Sequence, residues 1–219
     1  MNTPNEQLSA LKDIKQMMER SSRFISLSGL SGIAAGTCAL IGAYFAHNVI
    51  EQLILNATNL RNHDVILYER KFLIRDMIGY ELMQIAVLTF AAALLSSFLF
   101  TYLRSKKTNT PLWGTTAIRL TINVCIPLLT GGIFLLYLMQ YGIYGFIAPG
   151  CLIFYGLALL NAGKYTLKEI RYLGICEIIL GIINLGHLGN GLYYWAIGFG
   201  VLHILYGAYM WWVYERKSE

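Results

Sequence analysis

Residues 24–46 read Phe-Ile-Ser-Leu-Ser-Gly-Leu-Ser-Gly-Ile-Ala-Ala-Gly-Thr-Cys-Ala-Leu-Ile-Gly-Ala-Tyr-Phe-Ala and contain no charged side chain. A helix of this length, at about 1.5 Å per residue, crosses a hydrocarbon layer of about 30 Å. Its small residues share one helical face and include Ser28, Ser31, Gly32, Ala35, Gly36, Ala39, Gly42 and Ala43. Membrane helices associate where small residues let their backbones approach closely. The stretch therefore predicts a membrane span that packs through this face, centred on Gly32 and Gly36. The alternative is a glycine-rich span with no preferred partner.

The composition of the whole chain indicates a polytopic membrane protein. Of its 219 residues 56% are hydrophobic and 13% charged, and the mean hydropathy is +0.53. These values lie outside the range of soluble globular proteins. The apolar runs predict six transmembrane helices in one all-α bundle over residues 24–214, with spans at about 24–46, 77–103, 120–139, 145–162, 172–186 and 193–213.

The segments outside the spans are short. Residues 1–23 begin with the capping pattern Thr3-Pro4-Asn5-Glu6 and place apolar residues on one face, which predicts an amphipathic helix on the cytoplasmic membrane surface. A solvated helix packed on the bundle is the alternative. These residues lack the apolar core of a cleavable signal peptide. Residues 47–76 are predicted to form a polar loop, and residues 215–219 an exposed cytoplasmic tail.

The distribution of positive charge predicts the orientation. Thirteen of the seventeen lysine and arginine residues fall on the side that holds both termini in a six-span topology. The positive-inside rule then places both termini in the cytoplasm. The basic residues lie at the ends of the apolar runs, so the net charge of +5 does not indicate a nucleic-acid partner. The predicted partners are the lipid bilayer and, as an open possibility, other membrane proteins or a second copy.

Two ionisable residues lie inside predicted spans. Glu177 and His203 are each thirteen positions from Asn190, at the centre of the predicted turn, so antiparallel helices would hold them at the same depth. We predict a hydrogen bond or ion pair between them, with Asn184 as a polar neighbour nearer the outside. Such a pair either staples two helices or marks a proton or solute path.

No motif with catalytic, cofactor-binding or diagnostic metal-binding spacing is found, so no catalytic residue, cofactor or metal is predicted. A set of polar residues could meet on the outer side and hold a metal, but solvated loop residues are the preferred interpretation; they are His47, Glu51, His63, Asp64 and His187.

The opening Ile25-Ser-Leu-Ser-Gly-Leu-Ser-Gly32 and the short-turn hairpins resemble small six-helix bacterial inner-membrane proteins. Those families have no established activity, so the resemblance implies a location in the inner (plasma) membrane but no reaction. The leading hypothesis is a non-enzymatic membrane protein that acts through partners, as an envelope-associated or regulatory component. The alternatives are a small transporter or channel that uses Glu177 and His203 and, in third place, an intramembrane enzyme.

Overall fold

The computed structural model describes residues 28–60, 67–108 and 113–216, which form helices and no β-strand. The helices are α1 (Gly29–Leu60), α2 (Leu67–Thr108), α3 (Thr115–Gln140), α4 (Ile147–Ala162), α5 (Glu169–Leu185) and α6, which consists of Gly191–Trp195, Ala196–Leu202, His203–Met210 and Trp211–Glu215. The second and fourth segments of α6 are π-helical. Short 3₁₀ turns at Tyr144–Phe146 and Leu188–Asn190 precede α4 and α6. The all-α prediction is confirmed for the described residues.

Five helical stretches are long and apolar enough to cross a membrane: Gly29–Gln52, Gly79–Thr108, Thr115–Gln140, Tyr144–Ala162 and Leu188–Glu215. Large hydrophobic side chains cover much of the outer surface of the bundle. The chain therefore has the build of a helical membrane protein. The predicted fifth span, 172–186, lies largely within α5, whose 17 residues measure about 25 Å, and its crossing stays a prediction.

Two helices extend beyond the predicted bounds of their spans. The polar residues after position 46 do not end the helix, because α1 continues to Leu60 and α2 already begins at Leu67. Polar side chains end the apolar span but permit the helix to continue beyond it. Glu215 belongs to the last turn of α6, and its side chain is only 16% exposed rather than part of an exposed tail. The predicted amphipathic helix over 1–23 lies outside the described residues.

The helices pack as two groups joined through α6. Helix α1 contacts α2 on one side and α6 on the other, whereas α4 contacts α3, α5 and the first turn of α6. Helix α5 packs mainly on α4 and touches α6 only locally, although a tight turn joins α5 to α6. We call the end of the bundle that holds Ser28 and Glu215 the terminal end, and the opposite end the turn end.

The small face of α1 lies mainly against α6, and its Gly42 lies against Thr89 of α2. Ser28, Gly36 and Ala39 are buried, and Gly32 and Ala35 are half-buried. A Cβ atom on Gly36 would lie 2.6 Å from the carbonyl oxygen of Gly200, and one on Gly32 would lie 3.1 Å from the Cα of Gly207. Large residues of α1 that face outward are Leu30, Ile41 and Phe45, whereas Leu40 lies over Gly200 of α6. The two backbones thus touch through glycine, which is the contact that lipid favours.

Glu215 joins three helices at the terminal end. Its Oε1 accepts a hydrogen bond from Arg104 Nη1 of α2 at 2.6 Å, and a second from the backbone N–H of Gly29, the first residue of α1. The hydroxyl of Ser28 lies 3.3 Å from both carboxylate oxygens. A negative charge at a helix N-terminus is favourable because the free N–H groups there carry partial positive charge. Glu215 therefore holds the start of α1 and the end of α2 against α6.

Glu215→Gln should lower the stability of the folded protein by about 1–3 kcal/mol, because hydrogen bonds to charged groups are lost in a largely buried place. Thermal unfolding in detergent would measure the change. Glu51→Gln is the matched control, since the His47–Glu51 pair is 3.9 Å apart and Glu51 is 62% exposed; such surface pairs contribute about 0–1 kcal/mol. Equal shifts for the two variants would contradict this account of Glu215.

Candidate functional site

Glu177 lies at the middle of α5, eight residues from each end, with a side chain that is completely shielded from solvent. Gly174 and Gly181 flank it on the same helical face. A Cβ on Gly174 would lie 2.8 Å from the carbonyl oxygen of Gly156, so the backbones of α5 and α4 are in contact there. Because the small residues let α5 pack closely on α4, this face of α5 is buried, and the carboxyl group of Glu177 is buried with it.

His203 follows directly after the π-helical segment Ala196–Leu202 of α6 and is 6% exposed. Its Nδ1 lies 3.0 Å from the carbonyl oxygen of Gly198, and its Nε2 lies 2.8 Å from the hydroxyl of Tyr155 on α4. A carbonyl oxygen can only accept, so Nδ1 carries a hydrogen; in a neutral imidazole Nε2 then accepts the Tyr155 O–H. Segments of π-helix frequently occur at functional sites.

The carboxyl group of Glu177 is beside this imidazole but makes no normal hydrogen bond. Its Oε1 is 3.5 Å from Nδ1 of His203, and neither oxygen has a hydrogen-bond partner among the described residues. That distance exceeds the usual range for an N–H donor, and the Nδ1 hydrogen is already directed at Gly198. A buried carboxylate without donors is costly. The pair can instead hold one proton between them, either on Glu177 or as an imidazolium facing the carboxylate.

Gly198 and Leu152 cover the carboxyl group. A Cβ on Gly198 would lie 2.5 Å from Oε2 of Glu177 and 2.4 Å from Cδ2 of Leu152, a completely buried residue of α4. The ring of Phe199 stacks on His203 with centroids 6.0 Å apart and an interplanar angle of 17°. The site is therefore small, apolar at its rim and closed to solvent in this conformation.

The other predicted polar residues are elsewhere. Asn184 is completely buried two turns from Glu177, toward the turn end. His47 and Glu51 are exposed on α1, and His187 is exposed with Nδ1 3.1 Å from the carbonyl oxygen of Ile183. Among the residues that the structure describes, no three His, Cys, Asp or Glu side chains gather as metal ligands would. His63 and Asp64 lie outside the described residues.

Tyr155 and Gly198 complete the site. The sequence analysis did not identify either residue. A tyrosine is ordinary in a membrane helix, and its contact with His203 exists only because α4 packs on α6. A weak signal was available in α6, where glycines at 198 and 200 shortly precede the histidine and leave a backbone carbonyl accessible to it.

Comparisons of the chain with protein-family models, with curated proteins and with solved structures found no match. The chemistry of Glu177, His203 and Tyr155 is therefore the ground on which a function is proposed.

Proposed function

We propose that this chain is a six-span protein of the inner (plasma) membrane, with both termini in the cytoplasm, that carries protons across the membrane through Glu177 and His203. The excess of lysine and arginine on the terminal side supports the orientation. A sixth crossing by α5 is supported by its extent. Glu169 at its start accepts a 2.7 Å hydrogen bond from Tyr214 near the end of α6. The 3₁₀ turn that follows α5 contacts the 3₁₀ turn that precedes α4.

The observation that carries the proposal is the buried Glu177 carboxyl group without a hydrogen-bond partner, next to an oriented imidazole. A residue retained only to staple two helices would be expected to make that hydrogen bond. Ionisable groups inside membrane helices commonly mark proton or ion paths, because they are costly to keep there. A carboxyl group without a hydrogen-bond partner therefore favours a role in proton exchange over a role in holding two helices together.

The contacts of the imidazole suggest how a proton moves. A proton that arrives at Nε2 along the Tyr155 hydrogen bond forms an imidazolium, and Nδ1 then releases its own proton to Oε1 of Glu177. The O–H bond of Tyr155 breaks as an N–H bond forms at Nε2, and a proton delivered from water restores the phenol. The N–H bond at Nδ1 breaks as an O–H bond forms on the carboxylate. The reverse order carries a proton in the other direction. The transfer requires the hydrogen bond from Nδ1 to the Gly198 carbonyl oxygen to break, and the imidazole and the carboxylate to approach from 3.5 Å to hydrogen-bonding distance.

The test is proton uptake by purified protein in liposomes under an imposed pH gradient. His203→Ala should reduce uptake by about a hundredfold, in the range by which positioned acid–base groups act. His187→Ala is the matched control, because His187 is exposed at the turn end. Folding of each variant is checked by circular dichroism and gel filtration. Equal uptake in wild type, His203→Ala and His187→Ala would overturn the proposal.

The second candidate is a non-enzymatic protein that acts through membrane partners, as an envelope-associated or regulatory component. Complete burial of Glu177 supports it, because a sealed polar contact can serve packing alone. Such contacts contribute about 0.6 kcal/mol on average in membrane proteins. If wild-type liposomes take up protons no faster than protein-free liposomes, this candidate becomes the better one.

A further inference from the structure

Asn184 is a second buried polar group on α5 without a partner. Its side chain is completely shielded, and neither amide atom makes a hydrogen bond within the described part of the chain. An amide side chain can donate two hydrogen bonds and accept two. Buried polar groups are almost always satisfied, by protein or by ordered water, because an unmade hydrogen bond in apolar surroundings is costly. The amide is therefore suited to a small hydrogen-bonding ligand.

The position of Asn184 relates it to the proposed proton site. It lies seven residues after Glu177, which on a helix corresponds to about 10 Å along the axis and nearly the same direction. It precedes the last residue of α5 by one position, so it lies near the turn end. With both termini in the cytoplasm, Asn184 lies between the outer surface and Glu177. Tyr155 comes after Leu152 along α4 and so lies toward the cytoplasmic side.

A tight helix contact separates the two polar groups. Gly181 lies between them on the same face, and a Cβ on it would be 2.7 Å from Cγ1 of Ile153 and 3.0 Å from the carbonyl oxygen of Pro149. The same position is 3.1 Å from Cβ of Leu152, whose Cδ2 also meets Gly198 beside Glu177. Leu152 therefore packs beside the carboxyl group and also against Gly181, which lies between Glu177 and Asn184 along α5.

We propose that Asn184 binds a water molecule, or the hydronium ion that this water forms, as the outer station of the proton path. The α4–α5 contact at Leu152 and Gly181 is the closed gate between this station and Glu177. When the contact opens, water fills the distance of about 10 Å between the two groups. One O–H bond of hydronium breaks, each water molecule in between accepts one proton and passes one on, an O–H bond forms on the Glu177 carboxylate, and water stays on the amide. This inference rests on the proposed proton function. It adds the side from which protons enter and the helix contact that blocks their path.

Asn184→Leu should lower proton uptake into liposomes by about tenfold, the factor that the loss of one hydrogen bond would give. Folding should survive, since the substitution removes a buried amide without a partner. Asn123→Leu is the matched control, because the Asn123 amide already donates to the Arg119 carbonyl oxygen at 2.8 Å. Wild-type uptake in a folded Asn184→Leu variant would overturn the outer station.

Water access gives an independent test that does not depend on uptake. The native cysteines, Cys38, Cys125, Cys151 and Cys176, are replaced by alanine, and Asn184→Cys is exposed to a water-soluble methanethiosulfonate from outside. It should react several-fold faster than Ile183→Cys, because reaction needs a hydrated thiolate and Ile183 is 46% exposed on the apolar outer surface. Leu152→Ala, which opens the gate, should not lower the rate.

The outcomes separate the inference from the function on which it rests. Equal labelling of Asn184→Cys and Ile183→Cys would overturn the outer station and leave the His203→Ala result unaffected. Absence of proton uptake by the wild type would overturn the proton path, and with it the hydronium station, even where labelling shows that water reaches Asn184.

Discussion

Gly207→Ala should strongly destabilise the contact between α1 and α6, because a methyl group has no room there. The new Cβ would lie 2.5 Å from the carbonyl oxygen of Gly29, 2.6 Å from the backbone nitrogen of Ile33 and 3.0 Å from the carbonyl carbon of Gly32. All three atoms are backbone, so no side chain can rotate away and the helices must separate. Overpacking of this kind costs about 1–3 kcal/mol. Thermal or denaturant unfolding in detergent would measure it.

Gly132→Ala provides the matched control. A Cβ on Gly132, in the interior of α3, meets nothing within 4 Å, so the methyl group has room. Where the backbone conformation suits alanine, the change stabilises by about 0.4–1 kcal/mol through the unfolded state. The two substitutions are chemically identical, and only the contact differs. An equal effect on stability from both would mean that α1 and α6 do not meet through glycine.

Glu177→Gln should reduce proton uptake to the level of protein-free liposomes while the protein stays folded. Glutamine has nearly the same shape, but its amide cannot release a proton at the pH of the experiment. Since neither carboxyl oxygen has a hydrogen-bond partner among the described residues, little stabilisation is lost with it. The expected loss of uptake is about 10²–10⁴-fold, as for other positioned acid–base groups. Uptake and thermal unfolding are measured on the same preparations.

Two further variants sharpen this result. Glu51→Gln, at an exposed carboxylate of α1, should leave uptake unchanged. Glu177→Asp keeps an ionisable group but draws it back by one methylene, so uptake should be partly retained. Full activity in Glu177→Gln would rule out the carboxyl group as a proton carrier, whereas inactivity of Glu177→Asp together with unfolding would indicate a packing defect.

Much of the candidate site could be read from single helices. Glu177 and His203 are ionisable residues within apolar runs, and each shares a face with glycines, which predicts burial against another helix. The pattern could not show that His203 directs its N–H to Gly198 and its Nε2 to Tyr155. Those bonds depend on a π-helical segment of α6 and on the approach of α4, and neither has a distinct signature in the residue pattern.

The residue pattern alone specified an all-helical, largely apolar chain, the small face of α1 and the polar residues at the centre of α5 and α6. Tertiary structure alone decided that α5 packs mainly on α4 and touches α6 only locally. Helical periodicity within one segment determines which face is small or polar. Lipid is as apolar as leucine, so it gives no hydrophobic preference among partner helices. The choice of partner comes from non-local fit, such as Gly156 against Gly174 and Gly207 against Gly32, which becomes visible only when the helices are assembled.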